Sequence, residues 1–146
     1  MKNINIYLDR VRRLTAEVFK LRFTKGTDLE ASFIYDEITP IPYKTALKAD
    51  YTPIKIGDKW ADNWGCAWFK FSGKVPSSFK GKHVGVLIDI AGEGLYFKDG
   101  IPHTGITYKQ DHYLHIGKAW IPLFACSEGN EDIGRLLDAA ANVLFG

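Results

Sequence analysis

Ile4, Leu8, Val11, Leu14, Val18 and Leu21 recur at spacings of three and four residues, the repeat that aligns side chains along one face of an α-helix. Asp9, Arg10, Arg12, Arg13, Glu17 and Lys20 occupy the rest of that segment. An amphipathic helix over residues 1–24 is therefore predicted, ended by the stretch from Thr24 to Asp28 that carries Gly26. Its apolar stripe needs cover, from this domain or from a surface outside it. Between Ala31 and Lys59 the pattern is mixed, and Pro40, Pro42 and Pro53 exclude a long regular element. This stretch reads as an extended connector wrapped over its own domain, with a short helix near Tyr43 to Ala49.

Beyond Trp60 the period changes to two. Ala67 to Val75 alternates Trp68, Lys70 and Ser72 with Phe69, Phe71 and Gly73, and Pro76 closes it. His83 to Ile90 is almost continuously apolar, the signature of a strand buried on both faces or close to it. Gly94 to Lys98 and Ile101 to Tyr108 flank Asp99-Gly100, a strong two-residue hairpin signal. Tyr113 to Ala125 supplies one or two further strands, with Pro122 marking an edge or a bulge. From Ile133 to Leu144 the alanine run favours a helix by propensity. Short strands separated by turns, after one helix, describe a mostly β chain: an antiparallel, jelly-roll-like β-sandwich over residues 25–146, preceded by the helix.

Composition narrows the partners. The chain of 146 residues is long enough for one real core, and its net charge of +2 leaves no basic stripe for nucleic acid. Arg10, Arg12 and Arg13 read as a solvated helix face. The sequence begins without a secretory leader, and no window is apolar for the length of a membrane span. Cys66 and Cys126, without an export signal, read as free buried thiols, and the protein as cytoplasmic.

Candidate chemistry is sparse. His112 and His115 stand three apart in a strand-like stretch, which sends them to opposite faces and argues against a zinc pair. Gly92-Glu93-Gly94 lacks the rest of a phosphate loop and reads as a turn presenting one carboxylate, bonded to nearby amides or facing a ligand. Asp89, Glu93 and Asp99 surround one turn region, but nothing in their spacing places two at the separation a glycosidase pair requires. No catalytic, cofactor or metal residue is assigned. Trp60, Trp64 and Trp68 recur every four residues, either as core and edge packing or as a platform on which a sugar ring stacks. A turn near Asn63 to Gly65 would expose Trp64.

Five segments, in order, resemble the N-terminal region of cytosolic-type family 38 α-mannosidases: Tyr43-Lys44-Thr45-Ala46-Leu47; Ile56-Gly57-Asp58-Lys59-Trp60; Trp64-Gly65-Cys66-Ala67-Trp68-Phe69; Gly92-Glu93-Gly94-Leu95 with Asp99-Gly100-Ile101-Pro102 and Gly105-Ile106-Thr107; and Ala140-Ala141-Asn142-Val143-Leu144-Phe145-Gly146. The resemblance tips the last segment from helix to strand. It implies an accessory domain that packs on a zinc-dependent catalytic domain of the same polypeptide, shapes one wall of its cleft or supports homo-oligomer contacts. The parent reaction would be retaining hydrolysis of terminal α-mannosides. The family's H-x-H-x-D motif is absent here, so none of its catalytic or zinc-binding residues carries over, and the chain is expected to be inactive alone. Trp64, Glu93 and Asp99 are the candidate carbohydrate contacts. The other reading is a free-standing carbohydrate-binding module using Trp60, Trp64 and Trp68.

Overall fold

The computed structural model describes residues 4–21, 23, 26–107 and 119–142. The amphipathic segment forms helix α1, Ile4–Lys20. Arg12–Asp9 at 3.2 Å and Lys20–Glu17 at 2.7 Å pair along its polar side, and Lys20 also complements the helix dipole at the C-terminal turn. The stripe itself is exposed, from 47% at Leu8 to 78% at Leu21.

Among the described residues eight strands follow: β1 Glu30–Asp36, β2 Thr52–Ile54, β3 Cys66–Lys74, β4 Val84–Leu87, β5 Glu93–Lys98, β6 Ile101–Thr107, β7 Trp120–Phe124 and β8 Asp132–Ala140. A short helix α2, Tyr43–Ala46, lies between β1 and β2, inside the predicted span. Six strands make one antiparallel sheet in the order β2-β1-β3-β8-β5-β6, and β4 pairs with β7 in a second. The alternation in β3 sends Ala67 and Phe69 inward, beside Leu137 and Ala139 of β8 in register. With Tyr96 and Ile106 these side chains meet Val84, Val86 and Ile121 of the smaller sheet. Each of the large aliphatic and phenylalanine side chains among them contributes about 1.5–3 kcal/mol through its burial, and each alanine methyl roughly 0.8 kcal/mol.

Asp99 (φ 52°) and Gly100 (φ 79°) both occupy the left-handed region, the requirement of a type I′ turn, and join β5 to β6 as predicted. Pro122 lies on a strand with a single neighbour, opposite a register shift at Val84/Gly85, so its missing N–H disrupts no central ladder. The segment ending the described chain is strand, not helix: β8 pairs along its whole length with β3 and on its other side with β5. That two-sided pairing outweighs the helix propensity of its alanines. Tyr108 to Lys118 and Val143 to Gly146 lie outside the described residues, and with them His112, His115 and part of the Tyr113–Ala125 prediction.

Three expectations are corrected. The run from His83 to Ile90 is buried on one face only: Val84, Val86, Ile88 and Ile90 point into the core while Leu87 is 61% exposed. Apolar residues occur on both faces of that strand, but the two-layer packing covers one of them. The stretch from Ala31 to Lys59 is not merely connector, because β1 is a full sheet member between β2 and β3. Its pattern is mixed because both faces are occupied. Phe33 stacks on Phe69 inside at 5.8 Å, while Ile34 stands beside Trp68 outside. Pro53 is accommodated on β2 because β2 is an edge strand. Cys66 and Cys126 are free, but Cys66 is only half-buried and Cys126 is exposed.

The outer face of the large sheet is covered by the segment around α2, a strap anchored on Trp68. That indole is 2% exposed and its Nε1 donates to the Ile41 carbonyl at 2.7 Å. Tyr43 packs 5.7 Å from Trp68 and stacks on Phe97 at 5.1 Å, and Ala46 of the strap itself is fully buried.

Candidate functional site

The three tryptophans at four-residue spacing do not form one surface. Trp68 is buried under the strap. Trp60 packs edge-on against Phe69 at 5.2 Å and donates its Nε1–H to the Ile90 carbonyl at 2.7 Å, which makes it a core-edge residue. Trp64 alone is exposed, at 61%. The predicted turn between Asn63 and Gly65 causes the divergence: the Gly65 N–H donates to the Asp62 carbonyl at 3.0 Å, and the chain then enters β3. Trp64 adopts φ 72°, a left-handed backbone that a non-glycine residue takes at a cost of roughly 1–2 kcal/mol. Two backbone bonds fix it there. The Trp64 N–H donates to the Ala141 carbonyl at 2.8 Å, and the Ala141 N–H donates to the Gly65 carbonyl at 2.9 Å.

Asn142, one residue on, carries the link across the sheet end. Its Nδ2 donates to Glu93 Oε2 at 2.6 Å. Glu93 thus begins β5 and binds a side-chain amide from a distant part of the sequence, rather than the amides of its own turn. Asp89 is engaged locally, its Oδ1 accepting the Ala91 N–H at 3.0 Å in a turn where Ala91 is left-handed (φ 51°). Beside these residues lies a surface depression of about 190 Å³, bounded by Asp58, Trp60, Asp62, Asn63, Ala141 and Asn142. Lys59 and Asp62 form an ion pair on its rim, and Asp58 Oδ2 accepts the Lys55 N–H at 2.9 Å. Carboxylates, two amides and an indole edge around a shallow hollow are groups suited to hydroxyl-rich ligands.

Asp99 is at the opposite end of β5. Strand rise over the intervening residues separates it from Glu93 by about 20 Å. The two carboxylates therefore do not approach the separations at which glycosidase pairs act. The structure brings Trp64 and Glu93 to one end of the large sheet, through Ala141 and Asn142, and leaves Asp99 apart.

A larger cleft of about 930 Å³ opens between the two sheets. Phe71, Val75, Phe79, Val86 and Ile133 form its floor, so it is the core viewed from an open edge, with Asp28, Lys74, Lys82, His83 and Asp89 also along its lining. His83 packs edge-on to Trp120 at 6.2 Å, and His103 Nδ1 lies 2.6 Å from Thr104 Oγ1. Among the described residues, no three His, Cys, Asp or Glu side chains converge as a metal site.

Two titratable groups lie on the outer face: Asp138, which had no sequence signal, and Cys66, which the sequence marks only as a free thiol. Burial pushes the Asp138 carboxyl above its usual range, against the opposing hydrogen bond from the Ala139 N–H. Burial also raises the Cys66 thiol, reinforced by the negative charges of Asp138 and Asp36. Both effects disfavour the Cys66 thiolate, the nucleophilic form. Asn142 was legible in part, since it lies in the closing segment already singled out, but its bond to Glu93 required the sheet order.

A family profile described as "Alpha-mannosidase, jelly roll domain" matches residues 27–146. Alpha-mannosidase 2C1 of Homo sapiens is 30% identical over 84 residues, covering 56% of this chain and 8% of that protein. Alpha-mannosidase G of Dictyostelium discoideum is 23% identical over 160 residues, covering all of this chain and 14% of that protein. Alpha-mannosidase 2C1 of Mus musculus is 31% identical over 72 residues, 48% of this chain and 7% of that protein. The chain spans at most 14% of the length of these relatives. Among the described residues, no helix is long and apolar enough to cross a membrane.

Proposed function

The chain belongs to the alpha-mannosidase jelly roll domain family, and from that premise we propose that it is the non-catalytic N-terminal domain of a cytoplasmic α-mannosidase. In this reading residues 25–146 are one accessory unit, with the helix of residues 1–24 as its extension. The unit packs on a catalytic domain of the same polypeptide and forms one wall of its cleft. The parent enzyme would hydrolyse terminal α-mannosides with retention, and zinc in its catalytic domain would hold sugar hydroxyls and the nucleophile in register. The described residues of this chain do not fit a zinc site, so no step of that reaction is assigned to them.

One observation carries the reading of the sheet end. Trp64 is exposed and left-handed, pinned by backbone bonds to Ala141, so its indole contributes little burial and bears a conformational cost. A large aromatic kept in such a place is explained by contact with something beyond this domain. Trp64 would meet the substrate or the neighbouring domain beside the hollow bounded by Asn142. Glu93 would orient the Asn142 amide, and Asp99 would serve only a separate surface at the hairpin tip.

The test is hydrolysis of 4-nitrophenyl α-D-mannopyranoside with zinc present, by the 146-residue chain and by the complete product of its gene. The expected result is no turnover by the chain, turnover by the complete product, and a changed KM or kcat for Trp64→Ala in the latter. Turnover by the 146-residue chain alone would overturn the accessory role.

A second reading, a self-sufficient carbohydrate-binding module, is favoured only by the exposure of Trp64 beside amide and carboxylate groups. It requires saturable fluorescence quenching of the isolated chain by mannosides, lost in Trp64→Ala. Trp68, buried under the strap, cannot join that platform while the sandwich is folded, and Trp60 offers it only the indole edge that borders the hollow.

A further inference from the structure

The exposed stripe of α1 has a second regularity, finer than its helical repeat. Ile4, Val11 and Val18 stand seven residues apart, and Tyr7, Leu14 and Leu21 follow each by three. This is a heptad with β-branched residues at every first core position and leucine at two of the three second core positions. That distribution favours two parallel strands over three or four. Each of the six is more than half exposed, so none is used by the sandwich. Asp9, Arg12, Arg13 and Lys20 all fall on positions outside the seam. Of the flanking positions, Arg10 would face Thr15 of a parallel partner, so no like charges oppose each other there.

We propose that α1 is a self-association helix, and that the occupant of its apolar stripe is α1 of a second copy of this chain in parallel register. The area agrees. Six side chains exposing about 100 Å² each, on two helices, remove on the order of 1,000–1,200 Å², the lower limit for a specific interface. Seventeen residues of helix hold barely two and a half heptads, so the pair is weak and concentration-dependent. Phe23, just beyond the helix, packs 4.7 Å from Trp120 and ties the end of α1 to its own sandwich. A parallel pair therefore sets the two sandwiches side by side. Within the α-mannosidase reading, this inference rests on α1 lying outside the contact with the catalytic domain.

Sedimentation equilibrium on the 146-residue chain tests it. The mass is expected to rise from 16.4 kDa toward twice that value with a midpoint in the tens of micromolar. Val11→Glu and Leu14→Glu should weaken association at least tenfold, while Arg13→Glu, outside the seam, leaves it unchanged. Because these positions are exposed, the thermal melt of the sandwich should not move, which separates lost pairing from lost folding. Orientation is read by oxidising Val11→Cys in a Cys126→Ser background, where a parallel pair yields an 11–11 cross-link. A chain that stays monomeric at 200 µM (about ten times the expected midpoint) overturns the proposal and leaves the stripe to another surface. Association that survives Val11→Glu, or a Val11→Cys pair that fails to cross-link while still dimeric, overturns it as well.

Discussion

Replacing Trp68 with phenylalanine tests whether the strap around α2 is a structural part of the domain. The substitution keeps an aromatic ring under the strap but removes one ring's worth of contact and the Nε1–H that reaches the Ile41 carbonyl. The lost area, roughly 40 Å², is worth about 1 kcal/mol. A cavity of about 40 Å³ at a fully packed position adds about 1 kcal/mol, and the missing hydrogen bond about 1 kcal/mol more. The expected destabilisation is thus roughly 3 kcal/mol, a melting shift of about 6–12 °C for a domain of this size. Urea unfolding followed by far-UV circular dichroism measures it. Trp68→Ala, Tyr43→Ala and their double variant make a cycle that removes the ring contact between Tyr43 and Trp68, and that contact predicts a coupling of about 0.5–1.5 kcal/mol. A loss below 1 kcal/mol together with an additive cycle would refute the reasoning, because it would mean that the strap is not packed on the outer face.

Asp138→Asn should raise stability at pH 7. Burial raises the folded-state pKa of Asp138, so its carboxylate opposes folding at neutral pH, and the urea midpoints of variant and parent should converge as pH falls below the ordinary carboxylate range. Glu131→Gln should do the reverse. Burial alone would raise the Glu131 carboxyl, but hydrogen bonds from backbone amides and from Ser127 Oγ (2.8 Å) outweigh it and lower the value. Its stabilisation is therefore present above the ordinary glutamate pKa and lost as pH falls through the depressed folded value, a trend readable by thermal melts from pH 7 to pH 3. Gly85→Ala should cost about 1–3 kcal/mol in a thermal melt, since a Cβ there would lie 2.5 Å from the Ile121 carbonyl oxygen and against the Trp120 ring. Trp64→Gly should stabilise the isolated chain in urea by up to about 1 kcal/mol through relief of the left-handed backbone, while any mannoside response is lost.

The parts of the fold that could be read beforehand are those where a single local rule decides. The alternation of β3, the Asp99-Gly100 turn and the placement of Pro122 each follow from a few neighbouring residues. β1 could not be read this way. Phe33 and Ile34 are adjacent apolar residues because the core lies on one face and the strap on the other, a fact that depends on residues far along the chain. β8 carried a local preference that contradicted its fate, and pairing with β3 and β5 overrode it. At the candidate site, the turn that exposes Trp64 was legible. Its separation from the buried Trp68 depends on the strap, and its association with Glu93 depends on Asn142 closing the sheet end. Asp99 resembled a neighbour of Glu93 only because sequence distance conceals the length of the strand between them.

The position of β8 governs how this domain can be made. It is the last of the described strands in sequence and yet sits in the interior of the large sheet, between β3 and β5. Before it emerges during synthesis, β1-β2-β3 and the β5-β6 hairpin are two separate pieces with unsatisfied inner edges. At about 5–20 residues per second, the roughly sixty residues from β3 to β8 hold those edges open for several seconds on the ribosome. Insertion of β8 then zips both halves in one event, with contacts that span most of the domain, which makes the closing step slow and sharply cooperative. Nascent chains arrested before Asp132 should thus be the ones that chaperones hold, and those released past Ala140 the ones that resist protease.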